Sequence, residues 1–330
     1  MSMLTALKQS VAATVLGCVV ALSPATASAE PLRVAFGDIP SVETLHLLIA
    51  FERAKEAGLE LDVTYLKSED IAAQAVVSGQ ADVGVGGPYS LIQKVRAPVR
   101  MFMQLSTLQM YPVVAADTYK SWKDLDGKEV AVHSRGSGTE AIMRLAAEKN
   151  GIEYSNISYI PGSEVRTGAL LQGNVKATIV DASGKRILEA QAPGKFLYLP
   201  LDDLAATDEG LFANTDYLKE HPQEVATLVE AILTTWREVA KDPAAVERLR
   251  EKYKLLPDAS PEMVAEIGPY FKEAAAGGLP LNGGGEEAVK DDFDFYTTSG
   301  ALEGEASGLK VEDFWEFAPL KAALAKLGQS

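Results

Sequence analysis

Short apolar segments alternate with amphipathic ones from residue 32 to residue 190, and this alternation limits the folds open to the chain. Leu32–Phe36 predicts a strand, Val42–Ala57 predicts a helix that Gly58 ends, and Leu59–Tyr65 begins the next strand. Strands that alternate with helices of this length form a parallel sheet with right-handed crossovers. The sequence therefore predicts an α/β fold.

A second set of the same units follows the turn-rich segment 117–127. Val130–Val132 predicts a strand and Thr139–Asn150 a helix, and further strand–helix pairs follow. After about Leu211 the pattern is mainly helical, and long helices without strands pack most simply on the first set. A chain of 330 residues also exceeds one typical core, so two domains are expected.

We therefore expect two lobes that the chain crosses twice. One lobe consists of residues 30–114 with 212–330, and the other of residues 115–211. The crossings are expected near Tyr111–Ala116 and Glu209–Ala213.

Residues 1–29 have the features of a secretory signal peptide. Lys8 precedes the uncharged stretch Val11–Leu22, and small residues before and at Ala29 fit a signal peptidase site. We expect cleavage after Ala29 and a periplasmic location. In the alternative, a lipoprotein signal ends at Cys18, which is then lipidated. Cys18 is the only cysteine, so we expect no disulfide and no thiolate chemistry in the mature domain.

The net charge of −15 argues against a nucleic-acid partner and against an anionic membrane surface, because both require a basic face. Acidity does not identify a ligand, since an anion site needs only local positive potential. His46, His133 and His221 lack metal-ligand spacing. We therefore expect a monomer with no metal and no cofactor.

Ligands of open α/β sheets bind beyond the carboxyl ends of the strands, where turns and helix N-termini converge. Four turns fit this description, at residues 37–41, 84–90, 134–140 and 181–185. From these turns we expect ligand contacts by Asp38, Ile39, Gly86, Gly87, Pro88, Tyr89, Ser134, Gly136, Ser137, Gly138, Thr139 and Asp181.

The turn Ser134–Thr139 is the most informative of the four. Its two glycines permit close approach, and its amides and hydroxyls are donors suited to a carboxylate, a sulfonate or a phosphate-like group. In the alternative, Ser137 or Thr139 only caps the following helix. Tyr89 offers a ring face or a hydroxyl, or belongs to a purely structural turn. Asp181 accepts from a ligand amine, or caps a helix.

Three stretches, taken in order, resemble the periplasmic solute-binding proteins of ABC importers. The resemblance is to the type II group that handles nitrate, taurine, alkanesulfonates and thiamine-precursor pyrimidines. The stretches are Val77–Leu91, Ser121–Thr139 and Ala213–Leu233. The glycine-proline turn of that family matches Gly86–Tyr89, and its polar turn matches Ser134–Thr139.

The resemblance implies a two-lobed, hinged periplasmic-binding-protein fold, with a mostly parallel sheet flanked by helices in each lobe. It also implies a receptor, not an enzyme, that closes on a small organic molecule and delivers it to a membrane permease. We expect an anionic, sulfonate- or carboxylate-like ligand. The segment Gly173–Ala177 departs from the family in lacking its acidic residue.

Two alternatives stay open. The Gly136–Thr139 turn also looks like that of receptors serving TRAP-type transporters, which leaves the permease class undecided. A secreted enzyme of the same fold would use His133 or Asp181 as its reacting group.

Overall fold

The alternation of strands and helices predicted from the sequence is present in the computed structural model of the protein. The structure describes residues 30–202, 204 and 206–328. The predicted signal peptide and Cys18 therefore lie outside the described residues. From Pro31 onward the chain forms one unit by its contacts, and the division into two lobes stays a prediction.

Strands in the described residues have the following bounds: β1 Leu32–Phe36, β2 Leu61–Tyr65, β3 Val83–Gly86, β4 Val99–Gln104, β5 Tyr111–Ala115, β6 Glu129–Val132, β7 Asn156–Tyr159, β8 Ala177–Val180, β9 Phe196–Tyr198 and β10 Gly210–Asn214. They form a five-stranded sheet in the order β2-β1-β3-β10-β4, a three-stranded sheet β8-β5-β9 and a pair β6-β7.

Helices in the same residues have the following bounds: α1 Leu45–Glu56, α2 Glu69–Val77, α3 Tyr89–Val95, α4 Gly138–Asn150, α5 Ser163–Leu171, α6 Ala182–Gln191, α7 Thr215–Glu220, α8 Pro222–Lys241, α9 Ala245–Tyr253, α10 Pro261–Glu273, α11 Gly285–Thr298 and α12 Ala318–Leu327. None of them is long and apolar enough to cross a lipid bilayer.

The late helices pack against the first sheet region, as the sequence predicts. Helix α8 begins with Pro222 in its first turn, where a missing amide hydrogen is harmless. Its apolar stripe, with Trp236 fully buried, packs against α1 and α12. Phe36 of β1 and Leu45 of α1 belong to the same apolar core.

Strand directions in the five-stranded sheet fit the expected mostly parallel arrangement, because β1, β2, β3 and β4 run in one direction and β10 runs in the other. Strand β1 runs parallel to β2 and β3, and β6 runs parallel to β7. Strand β10, however, is antiparallel to β3 and β4, and β5 is antiparallel to β8 and β9. The segments expected as crossings near Tyr111–Ala116 and Glu209–Ala213 are therefore largely strands. The α/β class is confirmed, and the sheets are mixed.

Candidate functional site

Turns after three strands meet around two adjoining cavities. One, of about 20 Å³, is lined by Asp38 after β1 and by Ser137 and Thr139 after β6. The other, of about 40 Å³, is lined by Asp181 after β8. Glu43, Met110 and Asp208 line both cavities. We call these two cavities the acidic gap; its remaining lining residues include His46, Glu69, His133, Ser163, Arg166, Glu209 and Tyr270.

The Ser134–Thr139 turn forms hydrogen bonds within the protein through its Ser137 and Thr139 hydroxyls. The Ser137 hydroxyl donates to the Ser134 carbonyl at 2.8 Å and accepts from the Glu140 amide, which caps α4. The Thr139 hydroxyl accepts from the His133 amide at 3.0 Å. The capping role considered for Ser137 is therefore confirmed, and its ligand contact stays a prediction.

A carboxylate of the protein itself already lies against this turn. The Gly136 amide donates to Glu140 Oε2 at 2.6 Å, and Glu140 also pairs with Arg144 at 2.6 Å. At the start of α4, a Cβ added to Gly138 would lie 3.3 Å from Asp208 Oδ1. Negative groups are favourable at a helix N-terminus. Carboxylates of the protein itself thus already lie near the amides that were expected to hold an anionic ligand.

The turn after β3 is filled by Glu69 of α2. The Gly87 amide donates to Glu69 Oε2 at 2.7 Å. Gly86 has a positive φ of 142°, and a Cβ there would lie 2.9 Å from Glu69 Cγ. The glycine is required because any side chain would displace this carboxylate. Gly86 and Gly87 therefore contribute by admitting Glu69 to the acidic gap.

Tyr89 lies in the protein core and lines neither cavity of the acidic gap. Its side chain is 1% exposed, and Pro88 precedes it at the start of α3. The Tyr89 hydroxyl donates to Asp292 and accepts from Trp315 Nε1 at 2.8 Å. Its ring packs against Tyr296, with the centroids 4.7 Å apart. The structural interpretation considered for Tyr89 explains these contacts, so we leave Tyr89 out of the candidate site.

The turn after β1 contacts the segment between β7 and α5. The Ile39 amide donates to Asp38 Oδ1 at 2.7 Å, which turns the buried Asp38 carboxylate along the gap. The Ile39 side chain packs on Gly162, where a Cβ would lie 2.6 Å from Ile39 Cδ1. Gly162 has a φ of 84°. A larger residue at Gly162 would force the Ile39 side chain to move.

Both ring nitrogens of His133 are held by backbone groups. The Gly162 amide donates to Nδ1 at 3.3 Å, so Nε2 carries the hydrogen and donates to the Gly37 carbonyl at 3.2 Å. Burial lowers the pKa of His133, although the nearby Asp38 opposes this shift. His133 is therefore a neutral connector between two turns, and this geometry offers no free nitrogen for proton transfer.

Asp181 caps α6, as one of its two sequence interpretations proposes. Its Oδ1 accepts from the Gly184 amide at 2.7 Å and from the Ser163 hydroxyl at 2.8 Å. Burial raises the pKa of Asp181, and these two hydrogen bonds and Arg166 oppose the shift. Asp181 still lines the larger cavity, so its contact with a ligand amine stays a prediction.

Several carboxyl residues of the acidic gap were missed in the sequence. Burial, together with neighbouring carboxylates, raises the pKa of Glu69 to about 8 and that of Asp208 to about 7. The same causes raise the pKa of Glu43 and Glu209 well above the ordinary value. The pKa of nearby Glu164 is raised by burial to about 7. The gap is therefore strongly acidic and poor in compensating charge.

Arg166 of α5 is the cation that faces these carboxylates. Its side chain is 1% exposed, Nε donates to the Ile179 carbonyl at 2.8 Å, and Nη1 donates to the Ile160 carbonyl at 3.0 Å. Burial lowers its pKa, while carboxylates that include Asp38 and Glu43 oppose that shift. Because Arg166 lies within an ordinary helical sequence, nothing in the sequence indicates that its side chain is buried beside these carboxylates. No group of His, Asp or Glu side chains among the described residues is arranged to hold a metal ion.

Comparison with known proteins identifies the family. The family model described as NMT1/THI5-like matches residues 54–246. The chain belongs to the NMT1/THI5-like family. A Brucella abortus relative that is named only as a binding protein is 25% identical over 308 residues, and the match covers 91% of each chain.

Solved structures share the fold of this NMT1/THI5-like chain. A Bordetella bronchiseptica RB50 protein has a TM-score of 0.73 at 20% identity, covering 91% of this chain and 98% of its own. The periplasmic nitrate-binding protein NrtA of Synechocystis PCC 6803 has a TM-score of 0.67 at 13% identity, covering 91% and 90%. The sulfonate-binding protein SsuA of Methylobacillus flagellatus KT has a TM-score of 0.57 at 21% identity, covering 90% and 94%. The resemblance to this group and its periplasmic-binding-protein fold are confirmed.

Proposed function

We propose that this protein is the extracytoplasmic solute-binding receptor of an ABC-type importer. In this proposal the signal peptide 1–29 is removed, and the monomeric receptor binds a small organic molecule without chemical change and delivers it to a permease. The observation that carries the proposal is the convergence of turns from separate sheets on one acidic gap. This is where open α/β sheets bind ligands, and the family match and the binding-protein neighbours support a receptor role.

The dimensions of the acidic gap support a hinged receptor. Its two cavities, of about 40 and 20 Å³, are far below the roughly 300–1,000 Å³ of typical small-molecule pockets. A solute of ordinary size therefore enters only when the turns move apart. Residues 30–114 with 212–330 and residues 115–211 are the lobes that we propose to separate, and Ile39 against Gly162 is a contact between them.

An enzyme is less consistent with the geometry. His133 has both nitrogens engaged by backbone groups, and Asp181 is held by two hydrogen bonds as a helix cap. No observation favours a TRAP-type permease over an ABC permease, so the ABC receptor is the proposal that the family supports.

Ligand screening and recovery test the receptor function. We expect a small set of solutes to raise the melting temperature of the purified protein, by more for tighter binding, and to reduce its radius of gyration in small-angle scattering. After denaturation, mass spectrometry should recover each bound solute unchanged. Conversion of a bound solute into product, or an identical scattering profile with and without bound solute, would contradict the proposal.

A further inference from the structure

Carboxylates in the acidic gap lack partners within the protein. Among the described residues, no group donates a hydrogen bond to the side chains of Glu43, Asp208 or Glu209, and no cation forms an ion pair with them. Arg166 is the only guanidinium lining the gap in that part of the chain, and two of its nitrogens are bound to carbonyls. These carboxylates are half-buried, and a carboxylate that is partly withdrawn from water loses hydration that a positive group in contact with it can replace. A positive group would therefore be stabilised at this site.

His46 is an independent sign of a ligand in the same cavity. It lines the cavity beside Glu43 and Asp208. Its side chain is 4% exposed, and neither ring nitrogen has a hydrogen-bond partner among the described residues. Buried polar groups almost always have partners, so an unpartnered imidazole requires an explanation. Burial lowers the pKa of His46 to about 4, against a smaller opposing effect of the Glu43 backbone, so its neutral ring offers one donor and one acceptor.

Tyr270 gives the same cavity an aromatic wall. It lines the cavity with His46 and Glu43, and its hydroxyl makes no hydrogen bond to any described residue. Aromatic faces attract organic cations through the ring quadrupole. Carboxylates, a neutral imidazole and a tyrosine ring together form a set of groups suited to a positively charged organic molecule.

The two other charge classes fit the gap less well. An anion would have to approach Glu43, Asp181 and Asp208, while the Gly136 amide and the Ser137 hydroxyl of the Ser134–Thr139 turn already donate within the protein. A bare metal ion is not favoured, because no set of ligands in the described residues is arranged for one.

We propose that the solute is a small organic cation, with an ammonium, amidinium or guanidinium group bound by the carboxylates of Glu43 and Asp208 and by the neutral ring of His46. This inference rests on the proposed receptor function and revises the anionic ligand expected from the sequence. The remainder of the cation packs against Tyr270. Binding brings a positive charge to carboxylates that have no ion-pair partner among the described residues.

Pairs of probes with matched shape and opposite charge test the proposal. Guanidinium and nitrate are both small, planar and threefold, and putrescine and succinate share a four-carbon chain, with 1,4-butanediol as the neutral member. Thermal shift and calorimetric titration at pH 8 should show binding of guanidinium or putrescine. Nitrate, succinate and butanediol should bind at least about tenfold more weakly.

Substitutions of residues in the acidic gap test whether the cation binds there. Glu43→Gln and Asp208→Asn should each weaken binding of the best cation by about tenfold or more, because each removes one charged hydrogen-bond partner. His46→Phe retains an aromatic ring and should weaken binding by a smaller factor. Glu148→Gln, an exposed carboxylate on α4, is the control and should change nothing. Melting temperatures without ligand verify that each variant is folded.

Each outcome decides one of the two proposals. Binding of nitrate or succinate in preference to the cations, or absence of cation binding, overturns the cation assignment. Preferential anion binding leaves the receptor function standing. Cation affinity that is equal in wild type, Glu43→Gln and Asp208→Asn places the cation elsewhere and also overturns the assignment. Chemical conversion of a bound cation instead overturns the receptor function.

Discussion

The Ser134–Thr139 turn and the cavity around Glu43 lie at the same edge of the molecule, yet their side chains differ in whether they have hydrogen-bond partners within the protein. In the turn, Ser137 and Thr139 are hydrogen-bonded within the chain, and Glu140 holds the Gly136 amide. In the cavity, Glu43 has no partner among the described residues, and His46 has none for either ring nitrogen.

This difference indicates that the turn supports the fold, whereas the cavity is the surface available to a ligand. A turn rich in glycine, serine and threonine predicts an anion site in a sequence, because its amides and hydroxyls are able to bind an anion. Once folded, those groups stabilise α4 and the turn itself. The groups left for a ligand are those without a partner among the described residues: the buried His46 ring and the half-buried carboxylates of Glu43 and Asp208.

Arg166→Met should have the largest effect of the substitutions that probe this contrast. It removes the buried cation of the gap and leaves two carbonyls without donors, so we expect a loss of about 3–5 kcal/mol in the free energy of unfolding. The control is Arg144→Met beside the turn, where the side chain is 55% exposed and the loss should be below about 1 kcal/mol. Chemical denaturation measures the free energy of unfolding of both variants. Equal losses in the two variants would contradict the proposed difference between the gap and the turn.

Gly162→Ala tests the contact between the proposed lobes. The added methyl group would strike Ile39 and hold the turns apart, so we expect solute affinity to fall by about tenfold or more. The control is Gly194→Ala, which has a similar φ of 75° but no atom within 4 Å of the added Cβ. Both variants bear comparable backbone strain. Unchanged affinity for Gly162→Ala in calorimetric titration would contradict closure through this contact.

The stability of the ligand-free protein should fall as the pH rises from 6.5 to 8.5. The pKa of Asp208 is raised by burial to about 7 and that of Glu69 to about 8, whereas both are ionised in the unfolded chain, where carboxyl pKa values are about 4. The folded state therefore binds more protons in this window, and raising the pH favours unfolding. Charged groups acting on Asp208 and Glu69 include Asp38, Asp70, Arg166 and Asp181.

Thermal denaturation across the same pH range measures this effect. Asp208→Asn should melt at a higher temperature than wild type at pH 8.5 and should show a flatter pH dependence. Glu148→Gln, outside the gap, should follow wild type. His46 does not complicate the comparison, because its pKa of about 4 keeps it neutral throughout. Stability that rises with pH in wild type would contradict the acidic gap.

Ser137→Ala should have the smallest effect on binding. Loss of the α4 cap should cost about 1 kcal/mol of stability, with little change in cation affinity. Ser260→Ala removes the equivalent cap of α10 and should behave alike in both measurements. A tenfold loss of affinity in Ser137→Ala alone would restore the ligand contact predicted from the sequence.

The elements that the sequence revealed are those with a strong local period. Helix α8 was evident from its apolar repeat, and β1 from its apolar run. Strands β5 and β10 were interpreted as crossings, because their partners lie far along the chain in β8, β9, β3 and β4. Helix α11 lies in the stretch predicted to be mainly helical, but its acidic sequence gives no sign of the buried Asp292, which accepts from the Thr207 amide at 2.6 Å.

The candidate site was predictable only in its location. Strand ends correctly indicated Asp38 and Asp181 as lining residues. The charge of the gap was not predictable, because Glu43, Asp208 and Arg166 reach it from segments that carry no motif. Whether a polar side chain has a hydrogen-bond partner depends on residues distant in sequence. Tyr89, for example, is hydrogen-bonded to Asp292 and Trp315.

Proton exchange on binding tests the account most directly. Putrescine is titrated calorimetrically into the wild-type protein at pH 7 in two buffers that differ in ionisation enthalpy. Because the pKa of Asp208 is about 7, a cation bound beside it should release protons, and Asp208→Asn should release fewer. Uptake of protons, or binding with no proton exchange in wild type, would contradict a cation held by the carboxylates of the acidic gap.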